Sequence, residues 1–172
     1  MVKMKEATIK ETITKETTIN EIIMNQETIK QVMIKKVIIK DESETKQFGL
    51  NLGKDLKKGD IVALTGDLGT GKTTLTKYIG EGLGITEMIT SPTFTIIQEY
   101  YSGRLPLYHF DVYRINDIEE MAELGYEEYF YGDGVTIIEW ADQILEIIPE
   151  HAIVINIEYG KTTDERVYKC TF

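Results

Sequence analysis

One run of residues constrains this chain more than any other. It extends from Ile61 to Thr74, and its residues Gly66 to Thr73 match Gly-x-x-x-x-Gly-Lys-[Ser/Thr] at every fixed position. The apolar residues Ile61 to Leu64 predict a buried strand before the motif, and helix-forming residues from Lys72 to Leu83 follow it. Strand, glycine-rich loop and helix in this order are typical of a loop that binds nucleotide phosphates.

The residue types of this loop suit a polyphosphate. Backbone N–H groups of the loop and of the helix N-terminus can converge on phosphate oxygens where glycines leave room. Lys72 is expected to reach the β and γ phosphates, and the Thr73 hydroxyl to ligate a bridging Mg²⁺. The motif is complete over its eight residues, which argues against a glycine-rich turn that binds no ligand. We therefore predict ATP binding by the loop residues Gly69, Thr70, Gly71, Lys72, Thr73 and Thr74.

Composition narrows the functional classes. A chain of 172 residues that is 42% hydrophobic suits one globular domain with a single core. A net charge of -10 disfavours tight direct binding to free nucleic acid. Cys170, the one cysteine, excludes an internal disulfide and a cysteine-based zinc site. Without an apolar run of membrane-spanning length or a signal-peptide pattern, we expect a cytoplasmic protein with no membrane partner.

The chain divides into two parts by composition. Residues 1–36 repeat short Lys, Glu and Thr motifs and contain no Gly, Pro or aromatic residue. We interpret them as a mobile, polar, low-complexity extension, although isoleucines at helical spacing leave a marginal amphipathic helix open. Residues 37–172 form the predicted nucleotide-binding domain.

Hydrophobic patterns in the second part predict alternating strands and helices. We expect a P-loop-like α/β domain of three layers, with a mostly parallel central sheet and antiparallel edge strands. Either Asp41 or Ser43 is expected to cap the first helix, and Asp117 a later short one. The predicted strands are Val37–Ile39, Ile61–Leu64, Thr95–Tyr101, Leu105–Tyr113, Val135–Glu139, Ala152–Tyr159 and Arg166–Phe172, and the predicted helices Glu44–Leu56, Lys72–Leu83, Asp117–Leu124 and Ala141–Ile148.

Two carboxylates are candidates to serve the metal ion. P-loop hydrolases place an acidic residue at the end of an apolar strand beside the loop. Glu139 follows a regular buried-strand pattern, and Asp111 follows a less regular one. Residues alone do not decide which carboxylate holds the metal. Arg114 could pair with Asp111 or neutralise phosphate charge as an arginine finger does.

Other polar and aromatic residues carry weaker signals. Ser91, Thr93 and Thr95 lie where γ-phosphate-sensing switch segments often lie, although an ordinary connecting loop has the same chemistry. Trp140 could contact a partner or pack at the rim of the core. His109 and His151 lack metal-ligand spacing with other candidates, so neither is assigned to a metal.

Four motifs together resemble the family of small bacterial ATPases called TsaE or YjeE. They are Gly66 to Thr74, Ser91-Pro-Thr-Phe-Thr95, His109-Phe-Asp-Val-Tyr-Arg114 and Ile138-Glu-Trp140, in that order and at family-like spacing. The resemblance covers about Val37 to Phe172 and has no counterpart for the N-terminal extension. Four ordered motifs are far more specific than a phosphate loop alone.

The resemblance implies ATP hydrolysis that supports the TsaD and TsaB pair. Their product is the threonylcarbamoyl group on adenosine 37 of tRNAs reading codons that begin with A, and tRNA would be met only through the complex. The resemblance implies that Thr73 and Glu139 hold Mg²⁺ and that Asp111 is catalytic beside Lys72. It also implies a switch-like segment at Ser91 to Thr95, a functionally sensitive Trp140 and an adenine side near Glu42 and Arg166.

Three other functional classes share the loop. A small-molecule P-loop kinase usually needs an arginine-bearing lid, whereas this chain has only Arg104, Arg114 and Arg166. A GTPase should show a guanine-reading Asn/Thr-Lys-x-Asp motif downstream of the loop, and none is present. A non-enzymatic nucleotide-dependent binding module differs from an ATPase only by turnover. The kinase remains the main alternative.

Overall fold

A seven-stranded sheet with helices on both faces organises the computed structural model, which describes residues 34–171. The strands are β1 (Ile34–Ile39), β2 (Ile61–Thr65), β3 (Ile97–Tyr100), β4 (Leu107–Asp111), β5 (Val135–Glu139), β6 (Ile153–Tyr159) and β7 (Arg166–Thr171). The helices are α1 (Glu42–Asp55), α2 (Lys72–Leu83), α3 (Ile118–Glu123) and α4 (Tyr126–Phe130). Two 3-10 turns span Ala141–Gln143 and Leu145–Ile147.

The sheet is parallel in its centre and antiparallel at its edges. Its order is β1-β7-β6-β2-β5-β4-β3, in which β6, β2, β5 and β4 run parallel. Strand β5 is buried throughout, as expected of a parallel strand covered on both faces. The predicted α/β class is confirmed. The carboxyl ends of β2, β4 and β5 meet at one edge, where open α/β sheets bind ligands.

Two apolar cores fill the space between the layers. One lies between the sheet and the helices α1 and α2, and includes Leu75, Ile79 and Leu83. The other lies on the opposite face, beneath α3, α4 and the 3-10 turns. Helices α1 and α2 approach closely, because a Cβ on Gly53 would lie 2.2 Å from the carbonyl oxygen of Ile79. The helix that follows the phosphate loop is therefore packed closely against α1.

The helix predicted at Ala141–Ile148 is wrong. Residue Trp140 before it has φ 62, and the backbone then makes two turns with N–H to C=O bonds three residues apart. Ile144, with φ −131, interrupts the helical path between those turns and is fully buried. Burial of Ile144 in the second core therefore prevails over local helix propensity.

Other boundaries differ by a few residues. The first strand starts at Ile34 rather than Val37 because it pairs along its length with β7. Strand β3 starts at Ile97, since the preceding Ile96 has φ 65 and leaves extended geometry. Asp41, not Ser43, caps α1 by accepting from the Glu44 N–H at 3.0 Å. Helix α4 was not predicted.

The predicted N-terminal extension, residues 1–36, falls almost wholly outside the described residues. Within residues 34–171, no helix has the length and apolar content needed to cross a membrane.

Candidate nucleotide and metal site

The phosphate loop links β2 to α2 and follows the predicted octet. Gly66, Gly69 and Gly71 all have positive φ, a region that residues with a Cβ adopt rarely. At Gly66 a Cβ would also lie 2.2 Å from the carbonyl oxygen of Ile157 on β6. The glycines thus fix the loop's path as well as leaving its backbone open to a ligand.

Lys72 turns back across this loop. Its Nζ donates to the carbonyl oxygens of Gly66 at 2.7 Å and Asp67 at 3.0 Å, and lies 3.6 Å from the ring centroid of Trp140. The side chain is buried and forms no ion pair with a carboxylate of residues 34–171. Burial lowers its pKa, and the field of Glu139 opposes that shift. An anionic ligand would relieve the cost of this buried ammonium.

Glu139 ends β5 directly beneath the first turn of α2. Its Oε2 accepts a hydrogen bond from the Thr73 hydroxyl at 2.8 Å, and Oε1 contacts His109 Nε2 at 2.7 Å and the Thr76 hydroxyl at 3.3 Å. Only 2% of Glu139 is exposed. The structure thus brings together Lys72, Thr73 and Glu139 as predicted.

Asp111 ends β4 and lies opposite Glu139 in the strand register. Its Oδ2 accepts from the hydroxyls of Ser91 and Thr93, the latter at 2.6 Å, and its Oδ1 accepts from the Tyr113 N–H at 3.2 Å. The two candidate carboxylates are therefore neighbours at the carboxyl edge. Ser91 and Thr93 are coupled to one of them.

Two residues predicted for this region, Thr95 and Arg114, make no side-chain hydrogen bond or ion pair with Asp111 or Glu139 within residues 34–171. Thr95 is exposed, and its backbone N–H donates to the Pro92 carbonyl at 3.0 Å. The guanidinium of Arg114 lies 4.5 Å from the ring centroid of Phe94, and no ion pair joins it to Asp111 within the described residues. The ion-pair alternative for Arg114 is therefore wrong.

A cavity of about 420 Å³ opens beside the loop. Arg166 lies in its wall and donates from Nε to the Thr70 carbonyl at 3.1 Å. Glu42 accepts a hydrogen bond from the Tyr78 hydroxyl at 2.6 Å, which raises the pKa of Tyr78 to about 12. Six residues predicted to bind ATP line this cavity, namely Glu42, Gly69, Thr70, Gly71, Thr74 and Arg166.

Comparison with known proteins identifies the family. The family model described as threonylcarbamoyl adenosine biosynthesis protein TsaE matches residues 39–168. The chain belongs to the TsaE family. Its role lies in tRNA threonylcarbamoyladenosine biosynthesis, as the names of its relatives state. The predicted resemblance is confirmed.

Individual relatives show how far the similarity extends. The tRNA threonylcarbamoyladenosine biosynthesis protein TsaE of Bacillus subtilis is 52% identical over 115 residues, which are 67% of this chain and 72% of that protein. The protein of the same name from Treponema pallidum is 43% identical over 66% of this chain and 84% of its own length. A crystal structure of Bacillus subtilis YdiB aligns with TM-score 0.68 and 42% identity, covering 81% of this chain and 87% of that one.

Three residues at this TsaE site were missed in the sequence. His109 and Thr76 both contact Glu139, and Tyr159 donates from its hydroxyl to the Leu68 carbonyl of the loop at 2.7 Å. A signal existed for His109, because residues two apart on a strand share a face and His109 precedes Asp111 by two. The sequence holds no comparable signal for Tyr159, whose contact joins residues 91 positions apart.

Proposed function

We propose that this TsaE-family chain binds ATP with Mg²⁺ and hydrolyses the nucleotide in the cytoplasm. Hydrolysis would support the TsaD and TsaB pair in forming the threonylcarbamoyl group on adenosine 37 of tRNAs reading codons that begin with A. The observation that carries the proposal is the arrangement at the start of α2. There a buried Lys72 ammonium lies beside a Thr73 hydroxyl bonded to the buried Glu139 carboxylate.

The residues of the site fit both the phosphates of ATP and Mg²⁺. Lys72 has its charge buried, and phosphate oxygens would offset the desolvation that lowers its pKa. The Thr73 hydroxyl and Glu139 Oε2 are oxygens 2.8 Å apart, which suits a cation that prefers oxygen ligands. Bound Mg²⁺ would neutralise charge that develops on the phosphates during transfer. Thr73 and Glu139 would hold the cation, while Asp111 would orient the attacking water.

The net charge of the chain and the segment of residues 91–95 support coupling to partners. The net charge of -10 disfavours direct capture of tRNA, so tRNA would be met through the complex. Ser91 and Thr93 bond to Asp111, and Phe94, the residue after Thr93, is 84% exposed. A partner that contacts Phe94 could therefore shift the carboxylate that orients water. This geometry supports a switch-like role for residues 91–95.

A small-molecule kinase is the alternative reading of the same loop. An arginine positioned above the transferred phosphate would favour the kinase. Each of the three arginines has another contact: Arg104 donates to carbonyl oxygens at the end of α1, Arg114 lies over Phe94, and Arg166, on strand β7 in the cavity wall, bonds to the Thr70 carbonyl of the loop. Hydrolysis is therefore the better-supported activity.

Steady-state phosphate release tests the proposal. Purified TsaB and TsaD are titrated into the chain with ATP and Mg²⁺, and Lys72→Ala serves as the blank because it removes the phosphate contact. We expect slow release by the chain alone and a rise of about tenfold or more with the pair, as partner-induced ordering completes the site. A flat rate despite demonstrated binding would contradict the coupling, and phosphate transfer to a small acceptor would favour the kinase.

A further inference from the structure

His109 occupies the middle of β4, where its imidazole is wholly buried. Its exposure is 0%, and Nδ1 has no hydrogen-bond partner among residues 34–171. Its Nε2 lies 2.7 Å from Glu139 Oε1. Burying a polar ring costs free energy that hydrogen bonds must offset. The single bond to Glu139 is therefore the contact that justifies an imidazole at this place.

The hydrogen-bond pattern assigns the ring proton. A neutral imidazole carries one N–H donor and one lone-pair acceptor. A carboxylate oxygen only accepts hydrogen bonds, so the His109 nitrogen that lies 2.7 Å from Glu139 Oε1 is assigned as N–H. The unpartnered Nδ1 is then a lone pair, which is tolerated in a protein interior more readily than an unpaired N–H. His109 thus donates from Nε2 to Glu139.

The two oxygens of Glu139 have different surroundings. Oε1 contacts His109 and Thr76 inside the core, whereas the hydrogen bond of Oε2 within residues 34–171 comes from Thr73 in the first turn of α2. The terminal torsion of a glutamate has a broad energy profile, so packing alone fixes its carboxylate poorly. His109 Nε2, 2.7 Å from Oε1, makes the contact that fixes the plane of the carboxylate, since the single Thr76 proton is shared with the closer Lys72 carbonyl at 3.1 Å. Oε2 is left directed at the hydroxyl that would ligate the cation.

The position of His109 on the sheet supports these different roles of Glu139 Oε1 and Oε2. His109 lies opposite Ile137 of β5 and shares a strand face with Leu107, which belongs to the apolar core under α2. An apolar side chain there would pack against the same core without the cost of an unpartnered nitrogen. A buried imidazole is therefore better explained by its bond to Glu139 than by packing.

We propose that His109 is a positioning residue for the magnesium site. Its Nε2–H fixes Glu139 Oε1 so that Oε2 faces the Thr73 hydroxyl, and the histidine itself touches neither nucleotide nor cation. The proposal rests on the proposed function, because it concerns how the chain prepares the same site for Mg²⁺. Loss of a hydrogen bond to a metal-ligating side chain, from a residue that does not itself touch the metal, typically changes metal affinity or activity by about 10- to 100-fold.

Three variants separate positioning from packing. His109→Leu removes the donor and keeps an apolar side chain in the core. His109→Gln restores an N–H at about the distance of Nε2, whereas His109→Asn places it nearer the position of Nδ1. Thr136→Val is the matched control: its hydroxyl donates to the Tyr129 carbonyl at 3.0 Å, and the residue is buried in β5 beside Ile137, facing away from α2.

The readout is nucleotide binding as a function of Mg²⁺, measured with a fluorescent ATP analogue in the full chain. For His109→Leu we expect about a tenfold increase in the Mg²⁺ concentration that half-maximally tightens binding, with magnesium-free affinity unchanged. His109→Gln should return to within about threefold of the wild-type value by the same reasoning. Thr136→Val should lower the melting temperature and leave the magnesium response unchanged.

Several results would overturn the proposal. A folded His109→Leu with the wild-type magnesium response shows that the ring only packs. If that variant does not fold, His109→Gln and His109→Asn decide. The proposal requires the magnesium response of nucleotide binding to be impaired in the asparagine variant and retained in the glutamine variant. Equal magnesium responses in the two variants overturn it. A wild-type chain whose nucleotide binding ignores Mg²⁺ would instead overturn the proposed function itself.

Discussion

Glu139 and Asp111 end neighbouring strands, and each is only 2% exposed, yet they are held by different parts of the molecule. Glu139 contacts side chains of α2 and β4, which are regular elements packed in the core. Asp111 accepts from Ser91 and Thr93, which belong to a connecting segment without strand or helix bonds. One carboxylate is therefore fixed by the fold and the other by a loop.

This difference separates two properties of one site. Groups held by packed elements keep their geometry, while segments with few buried contacts open at lower free energy. The segment from Ser91 to Thr95 contains Phe94, which is 84% exposed, and is followed by Ile96, whose φ of 65 is unusual for a β-branched residue. The Glu139 side of the site is thus preorganised, and the Asp111 side is adjustable.

Neutralising each carboxylate gives the largest expected contrast. Glu139→Gln should retain nucleotide binding but lower phosphate release about 100-fold, because the amide keeps the shape and loses the charge proposed to hold Mg²⁺ or its water. Asp111→Asn should keep the magnesium dependence of nucleotide binding and lose most of the stimulation by TsaB and TsaD. Both are measured by phosphate release and by nucleotide titration at several Mg²⁺ concentrations.

The reverse pattern would exchange the two roles. If Asp111→Asn abolishes the magnesium response while Glu139→Gln keeps it, Asp111 is the residue that serves the cation. Melting temperatures close to that of the wild type in both variants are the control for folding.

Loss of the donors to each carboxylate tests the same contrast through stability. Ser91→Ala combined with Thr93→Val leaves buried Asp111 with one backbone donor, and we expect a loss of about 2 kcal/mol in the free energy of unfolding. Thr76→Val should cost less, about 1 kcal/mol or below, because Glu139 keeps its contacts with His109 and Thr73. Equal losses in denaturant unfolding would mean that the two carboxylates are held alike.

Sequence reasoning was most accurate where pattern and chemistry coincide. The phosphate loop, its strand and its helix agree with the prediction because glycines, an apolar run and a Lys-Thr pair all indicate the same element. The segment Ala141–Ile148 was misread because its residues favour a helix locally, whereas Trp140 enters it with positive φ and Ile144 is buried. Such tertiary constraints are not visible in a local pattern.

Within the site, too, some features were predictable from the local sequence and others were not. Glu139 and Asp111 were identified because each ends an apolar strand, but their partners were assigned less well. Spacing along the chain argues against His109 as a metal ligand but does not predict its bond to Glu139. No sequence signal predicts that Arg114 contacts Phe94 rather than Asp111. Partners that join distant segments require the sheet order, which pairwise spacing along the chain does not supply.

Trp140 joins the two sides of the site and gives the smallest predicted effect. It follows Glu139, its ring covers the Lys72 ammonium, and it packs at 4.8 Å between centroids against Tyr113, whose N–H bonds to Asp111. A lysine ammonium has three donors, and those of Lys72 are directed at two carbonyl oxygens and this ring. A phosphate oxygen can bind the ammonium only by replacing one of the three contacts.

The ring contact is the one we expect to be lost, since the Trp140 ring is partly exposed and an ammonium–aromatic contact that water reaches contributes only about 0.5–1 kcal/mol. Trp140→Leu should then tighten ATP binding by about two- to fivefold, the amount that this contact stabilises the nucleotide-free lysine. Trp140→Phe, which keeps an aromatic face, should lie between the leucine variant and the wild type. Equilibrium titration with a fluorescent ATP analogue measures all three affinities. Weaker binding by Trp140→Leu would show that the ring stays on Lys72 in the nucleotide complex, and hence that Trp140 belongs with Glu139 to the preorganised side of the site.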